Sequence, residues 1–187
     1  MELRKTIKER RSIRKFSSRP VDRALLEELL KTSLWAPSGM NRQPWKFVVL
    51  EGESLKRLLH LSTNLAEKMD APLRVFNDKM RNYIKGYFRD LGGATTVVAC
   101  LSKSDAAYPE EHANMLSGGA ALYNFLLLAH EAGLATCWMT GYDEVEEEFM
   151  RLLGISGYRL AGVTPVGYPD QNPPTPPRKG EDIVWLS

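Results

Sequence analysis

Cysteine is scarce: Cys100 and Cys137 are the only two in 187 residues, and both stand in apolar surroundings. That usage fits a reducing compartment better than a disulfide scaffold and implies two inert thiols. Histidine is nearly as sparse, and His60, His112 and His130 show no ligand spacing with the cysteines or with one another, so they read as structural or surface residues and no metal site is expected. The formal charge of +2 is too small to suggest a nucleic-acid partner. No apolar run approaches membrane-spanning length. The residues after Met1 are charged from Glu2 onward and lack the apolar core of a signal peptide. The expectation is a soluble, cytoplasmic protein without internal repeats.

What is present is enough apolar residue, 43%, for one compact domain over residues 1–187. Asp22 can cap a helix whose Leu25, Leu26, Leu29, Leu30 and Leu34 recur at helical spacing, and Pro37 stops it near Ala36. Residues 46–51 (KFVVLE) and 94–101 (ATTVVACL) read as strands. A long helix spans His112 to Gly133, with Gly118 and Gly119 in its middle, where something must approach closely; a helix crossing is the simplest reading. A short strand (Ala135 to Met139), an acidic helix capped by Asp143 and a strand near Leu160 to Val166 follow. Residues 172–178, four of them proline, run extended into a final strand, Asp182 to Leu186, that can pair with its own sheet or a partner's. Residues 65–90 are mixed in pattern and receive no assignment.

Two constellations could carry chemistry. In residues 10–16 (RRSIRKF) a helix gives way to extended chain, which brings alternate side chains, Arg10, Ser12 and Arg14, to one face. Two guanidinium forks and a hydroxyl suit a phosphate monoester. Read alone, the heptapeptide fits a solvated basic helix end at least as well. In residues 36–45 (APSGMNRQPW), turn formers and the amides of Asn41 and Gln43 could wrap a polar ligand, or could form an ordinary capped turn with Trp45 in the core. Trp138 and Met139 read as core on their own.

These segments, in this order, resemble the nitroreductase family of FMN-dependent enzymes: RRSIRKF, then APSGMNRQPWKF, then GGAALYNFLLLAHEAGLATCWMTGY, then GVTPVGYPDQNPPTPPRKGEDIVW. The resemblance spans nearly the whole chain. It implies an α+β fold with a central mixed or antiparallel sheet flanked by helices, in an interlocked homodimer whose C-terminal strand extends onto the partner. Arg10, Ser12 and Arg14 would hold the FMN phosphate with Arg11 beside them, and Arg178 would complete the cage. Pro37, Ser38, Gly39 and Asn41 would reach the flavin from the other subunit. Trp138, Met139, Thr140 and Gly141 would lie along the ring, the Thr140 N–H directed at N5.

Two positions depart from the family pattern. Pro176 stands where many relatives have lysine, and Thr140 where many have an acidic residue. The implied activity is oxidation of NADH or NADPH and reduction of nitroaromatics, quinones or related electrophiles by a ping-pong route, with N5 carrying the chemistry and no side chain acting as acid or base. The alternatives are a flavin-binding sensor or store with little turnover, and a reductive dehalogenase or flavin-destroying enzyme on the same fold. Substrate identity would rest on residues 65–90, where relatives carry a variable cover.

Overall fold

The computed structural model describes residues 2–104, 110–180 and 183–186. Four antiparallel strands, β1 (Trp45–Leu50), β2 (Thr96–Lys103), β3 (Ala135–Thr136) and β4 (Tyr158–Gly167), form one sheet in the order β1-β2-β4-β3. The one parallel pairing of the N-terminal segment with this sheet is an isolated bridge, Ser12 to Thr136.

Among the described residues six α-helices accompany the sheet: α1 (Leu3–Glu9), α2 (Arg23–Ser33), α3 (Gly52–Lys68), α4 (Asp78–Asp90), α5 (Glu110–Glu131) and α6 (Glu146–Leu153). The central strand β2 is buried on both faces, so it reads as a continuous apolar run, and its period of two sorts side chains between two cores. Val97, Ala99 and Leu101 join α3, α4 and α6 through Leu58, Leu65, Phe88 and Phe149. Val98 and Cys100 face the other way, onto Leu26 and Leu29 of α2 and Leu122 and Phe125 of α5.

Asp22 caps α2 as expected, accepting from the Leu25 N–H at 2.8 Å. The helix stops at Ser33 because the N–H groups of Leu34 and Trp35 turn back to Lys31 and Thr32 in 3₁₀ fashion. Gly118 serves the sheet rather than a helix crossing: a Cβ there would lie 3.3 Å from those of Ala161 and Ser102. Asp143 does not cap the acidic helix. It sits inside a 3₁₀ turn, Gly141–Val145, and α6 begins after Val145 without a side-chain cap.

The expected strand from Ala135 to Met139 keeps one register against β4, with Ala135 opposite Gly167, Thr136 opposite Val166 and Met139 bonded both ways to Val163 at 2.8 and 3.0 Å. In that register Cys137 faces Pro165, which has no N–H to give, and the ladder is interrupted there. Among the described tail residues, Ile183–Leu186 do not pair with this sheet; their side chains are 70% to 94% exposed. Asp182, the expected start of that strand, lies outside the described residues.

Candidate functional site

The basic heptapeptide forms an edge to the sheet. After α1 the chain runs extended: the Ile13 N–H donates to the Thr136 carbonyl at 3.0 Å and the Phe16 N–H to the Gly92 carbonyl at 2.9 Å. Ile13 and Phe16 are buried with Ala94 and Ala135 and fix the segment by packing. The proline-rich tail follows the same segment. Ser17 N–H donates to Tyr168, Asp170 N–H donates to Lys15, and the Lys15 ammonium meets the Asp170 carboxylate at 2.6 Å. Arg11 donates to the Thr175 hydroxyl. Arg178, three residues further on, is exposed.

Two cavities lie along this edge. One, about 210 Å³, is lined by Arg10, Arg11, His130, Thr136, Gln171 and Asn172 among others. The other, about 320 Å³, is lined by Arg14, by Tyr83, Tyr87 and Phe88 of α4, and by residues 137–141. Arg10 and Arg14 therefore line different cavities rather than sharing one. Four peptide steps of extended chain separate them by about 13 Å. The Arg14 guanidinium lies 6.0 Å from the centre of the Tyr87 ring, a cation–π contact. Among the described residues the buried Tyr87 hydroxyl has no hydrogen-bond partner, and burial first, then the neighbouring Cys137 thiol, raises its pKa, which keeps it protonated.

Residues 137–141 present the second cavity with backbone more than side chain. The Trp138 indole turns to the opposite face, over Gly162 and against Gly119, and Met139 is 5% exposed in the α3 core. A Cβ on Gly141 would meet the Phe88 ring at 2.9 Å, so glycine lets α4 close on this segment. Thr140 is exposed, and its carbonyl accepts from the Asp143 N–H at 3.2 Å.

The loop with Pro37, Ser38, Gly39 and Asn41 lines neither cavity. Its shape is set internally: the Gln43 N–H donates to Ser38 Oγ at 3.0 Å and Gln43 Nε2 to Asn41 Oδ1 at 3.1 Å. Met40, Asn41 and Gln43 all have left-handed φ near +50°, an unfavourable conformation for side-chain-bearing residues, and Met40 is 89% exposed.

Met69, Tyr83, Ile84, Tyr87 and Phe88, which line the second cavity, fall in the 65–90 segment expected to cover the flavin, but the sequence singles out none of them. The available signal was Tyr83, Ile84, Tyr87, Phe88 and Leu91 at helical spacing behind Asn77, whose side chain caps α4 by accepting from the Met80 N–H at 2.9 Å. His130, read as structural or surface, lines the cavity of Arg10 and Arg11. Among the described residues no His, Cys, Asp or Glu cluster could hold a metal ion, and no helix is long and apolar enough to cross a membrane.

A basic cavity and an aromatic-walled cavity on one extended edge suit a flat ligand carrying an anionic group, the class of ligand to which phosphorylated redox cofactors belong. The model of the Nitroreductase family matches residues 7–168, and the chain belongs to that family of oxidoreductases. It is 29% identical over 172 residues to a Bacillus subtilis protein, YfhC, whose name places it among NAD(P)H nitroreductases; the match covers 91% of this chain and 86% of the relative. It is 32% identical over 185 residues to an iodotyrosine deiodinase of Thermotoga neapolitana, covering 91% and 90%. Its fold matches a crystal structure of oxidised iodotyrosine deiodinase bound to FMN and 3-iodo-L-tyrosine, with a TM-score of 0.80, 26% identity and all of both chains covered.

Proposed function

We propose that the chain is an FMN-dependent oxidoreductase that takes electrons from NADH or NADPH and passes them to a small electron-poor acceptor, at a site completed by a second copy of itself. The observation that carries this reading is the placing of Arg10 and Arg14 at the two ends of one extended segment. Their separation of about 13 Å suits a ribityl phosphate at one end and an isoalloxazine ring at the other.

The residues present fit FMN. Arg10 and Arg11, with Ser12 between the two cavities and Arg178 on the tail that Arg11 ties down, supply charge-assisted donors for a dianion. At the other end Tyr87 and Phe88 offer aromatic walls, Arg14 a fixed cation, and residues 138–141 a run of backbone with the Thr140 N–H for N5. When bound, FMN supplies hydride transfer. The chain's own residues orient, hold charge and exclude water, and no side chain in the second cavity is placed as a general acid or base.

Pro37, Ser38, Gly39 and Asn41 lie away from both cavities and are preformed in a strained, exposed loop. They serve a site on the partner subunit, and the exposed Ile183–Leu186 segment reaches the same partner. The acceptor is chosen by α4. Its charged neighbours are spent on one another: Lys85 meets Asp70 at 3.3 Å, and Arg89 meets Glu67 at 2.5 Å. Among the described residues Arg14 is the single charged side chain lining the cavity, which favours neutral or anionic aromatic acceptors such as nitroaromatics and quinones.

A second reading, reductive removal of halogen, is favoured by the relatives named iodotyrosine deiodinase. Against it, the described lining holds no carboxylate to receive the ammonium of an amino-acid substrate. One experiment separates these readings. Purified protein is tested for yellow colour and the released chromophore identified by mass, then bound flavin is bleached anaerobically with NADH or NADPH and reoxidised with a quinone, a nitroaromatic or 3-iodo-L-tyrosine. The proposal expects FMN, bleaching by a nicotinamide and reoxidation by the first two. Colourless protein that takes up no FMN overturns it, and iodide release faster than quinone reduction establishes the second reading.

A further inference from the structure

His130 stands in the last turn of α5, facing the segment that follows α1, and lines the cavity of Arg10 and Arg11. Its Nε2 is sealed from solvent and has no hydrogen-bond partner among the described residues. A buried ring nitrogen in that condition is destabilising unless a ligand or an ordered water pairs with it. The charged groups facing it are Glu9, Arg10 and Arg11 at the end of α1, with Glu131 adjoining it on its own helix. The facing residues of the tail, Gln171, Asn172 and Pro173, and of β3, Ala135 and Thr136, are uncharged. The enclosure thus brings two guanidiniums and an imidazole together against one lining carboxylate, Glu9, which is itself exposed.

We propose that His130 is a member of the phosphate-binding cluster, giving its Nε2–H to a phosphate oxygen beside Arg10 and Arg11; this rests on the FMN reading above. Without ligand, burial and then the Arg10 charge lower the pKa of the ring and favour its neutral form. A phosphate dianion reverses that balance, so binding draws a proton onto the imidazole at pH values between the lowered free pKa and the raised bound one. The sign follows: affinity for FMN rises as pH falls through that window. Keeping above pH 6.5 leaves the phosphate itself mostly dianionic, its second pKa being about 6.

Apoprotein is titrated with FMN, riboflavin and inorganic phosphate at intervals from about pH 8 to pH 6.5, with calorimetry in buffers of different ionisation enthalpy to count protons taken up. The wild-type protein should bind FMN about three- to tenfold more tightly at the lower pH, take up a fraction of a proton, and show neither effect with riboflavin. His130→Gln should remove the slope and weaken FMN about tenfold at the lower pH while leaving riboflavin alone. Equal pH slopes in wild type and His130→Gln overturn the proposal, as does an equal slope for riboflavin. The wild-type calorimetry decides the matter if the variant folds poorly: FMN binding without proton uptake sinks it. Wild-type protein that binds no flavin overturns the FMN reading, and this assignment with it. Phosphate binding that depends on residue 130, beside FMN binding that does not, identifies a free-phosphate site and also overturns it.

Discussion

Replacing Gly162 by alanine puts a methyl group where the Trp138 indole already lies. The added carbon would fall inside the contact radius of Nε1, 2.8 Å from Cδ1 and 2.9 Å from Cδ2 of Leu122. Trp138 has little room to retreat, because its far edge sits only 3.4 Å from where a Cβ on Gly119 would be, against the backbone of α5. The expected cost is about 2–3 kcal/mol, the upper part of the range for overpacking a tight core. For a chain of this size that lowers Tm by roughly 4–12 °C. Thermal unfolding of the flavin-free protein reads the effect, at one fixed concentration because the Tm of the proposed dimer would depend on it. The indole also anchors residues 137–141, so FMN affinity should fall in the same variant. Trp138→Leu removes the clash with the indole and leaves only the contact with Leu122 Cδ2, so the added methyl should cost much less in the Trp138→Leu background, a coupling of about 2 kcal/mol. A Tm shift for Gly162→Ala below about 1 °C, or additive effects in the cycle, would refute the packing argument.

Arg14→Glu should abolish flavin retention, and Arg14→Ala should weaken FMN and riboflavin alike by about one to two decades, because residue 14 serves the ring end. Arg178→Ala should weaken FMN much more than riboflavin in fluorescence titrations; equal losses would move Arg178 out of the phosphate site. Refolding Arg14→Glu together with Asn41→Lys should restore FMN and turnover to roughly a quarter of sites, since half the dimers carry one undamaged site; no recovery, with subunit exchange shown by native mass spectrometry, refutes the shared site. Ser62→Ala strips the buried Tyr142 hydroxyl of its partner and should cost about 1–3 kcal/mol in chemical unfolding; an unchanged midpoint would show that water replaces the serine.

The strands and the long helix were legible because their signals are local: β-branched runs for β1 and β2, and Asp22 ahead of a leucine repeat for α2. The helical spacing of Leu55, Leu58 and Leu65 was there as well, with Glu51 and Ser54 forming a capping box at its start. Beyond it, the four-residue step from Tyr83 to Tyr87 is obscured by Lys85 and Gly86, which lie between the two rings. Where the basic segment went was not legible. Alternation puts Arg10, Ser12 and Arg14 on one side of an ideal strand, but pairing with β3 and burial of Ile13 and Phe16 give the two arginines different cavities. Nor does any sequence signal tie His130 to Arg10, 120 positions earlier, because that neighbourhood exists only once α1 packs on α5. The interruption in the strand after Ala135 could not be read from its own residues either; it is written in Pro165, on the neighbouring strand.

The alternation of the sheet has one more consequence. Cys100 and Cys137 lie in different cores, one facing α5 and the other α4, so the sheet itself stands between the two thiols. No rotamer change can bring them within bonding reach. Burial pushes the Cys100 thiol up to about 12, which leaves on the order of one molecule in 100,000 as thiolate at neutral pH. Alkylating reagents and peroxide react with the thiolate, so they meet this residue at the rate at which the core opens rather than at the rate of the chemistry. The folded chain should therefore come through oxidising conditions with its Cys100 thiol intact, and its labelling by a maleimide becomes a clock for unfolding.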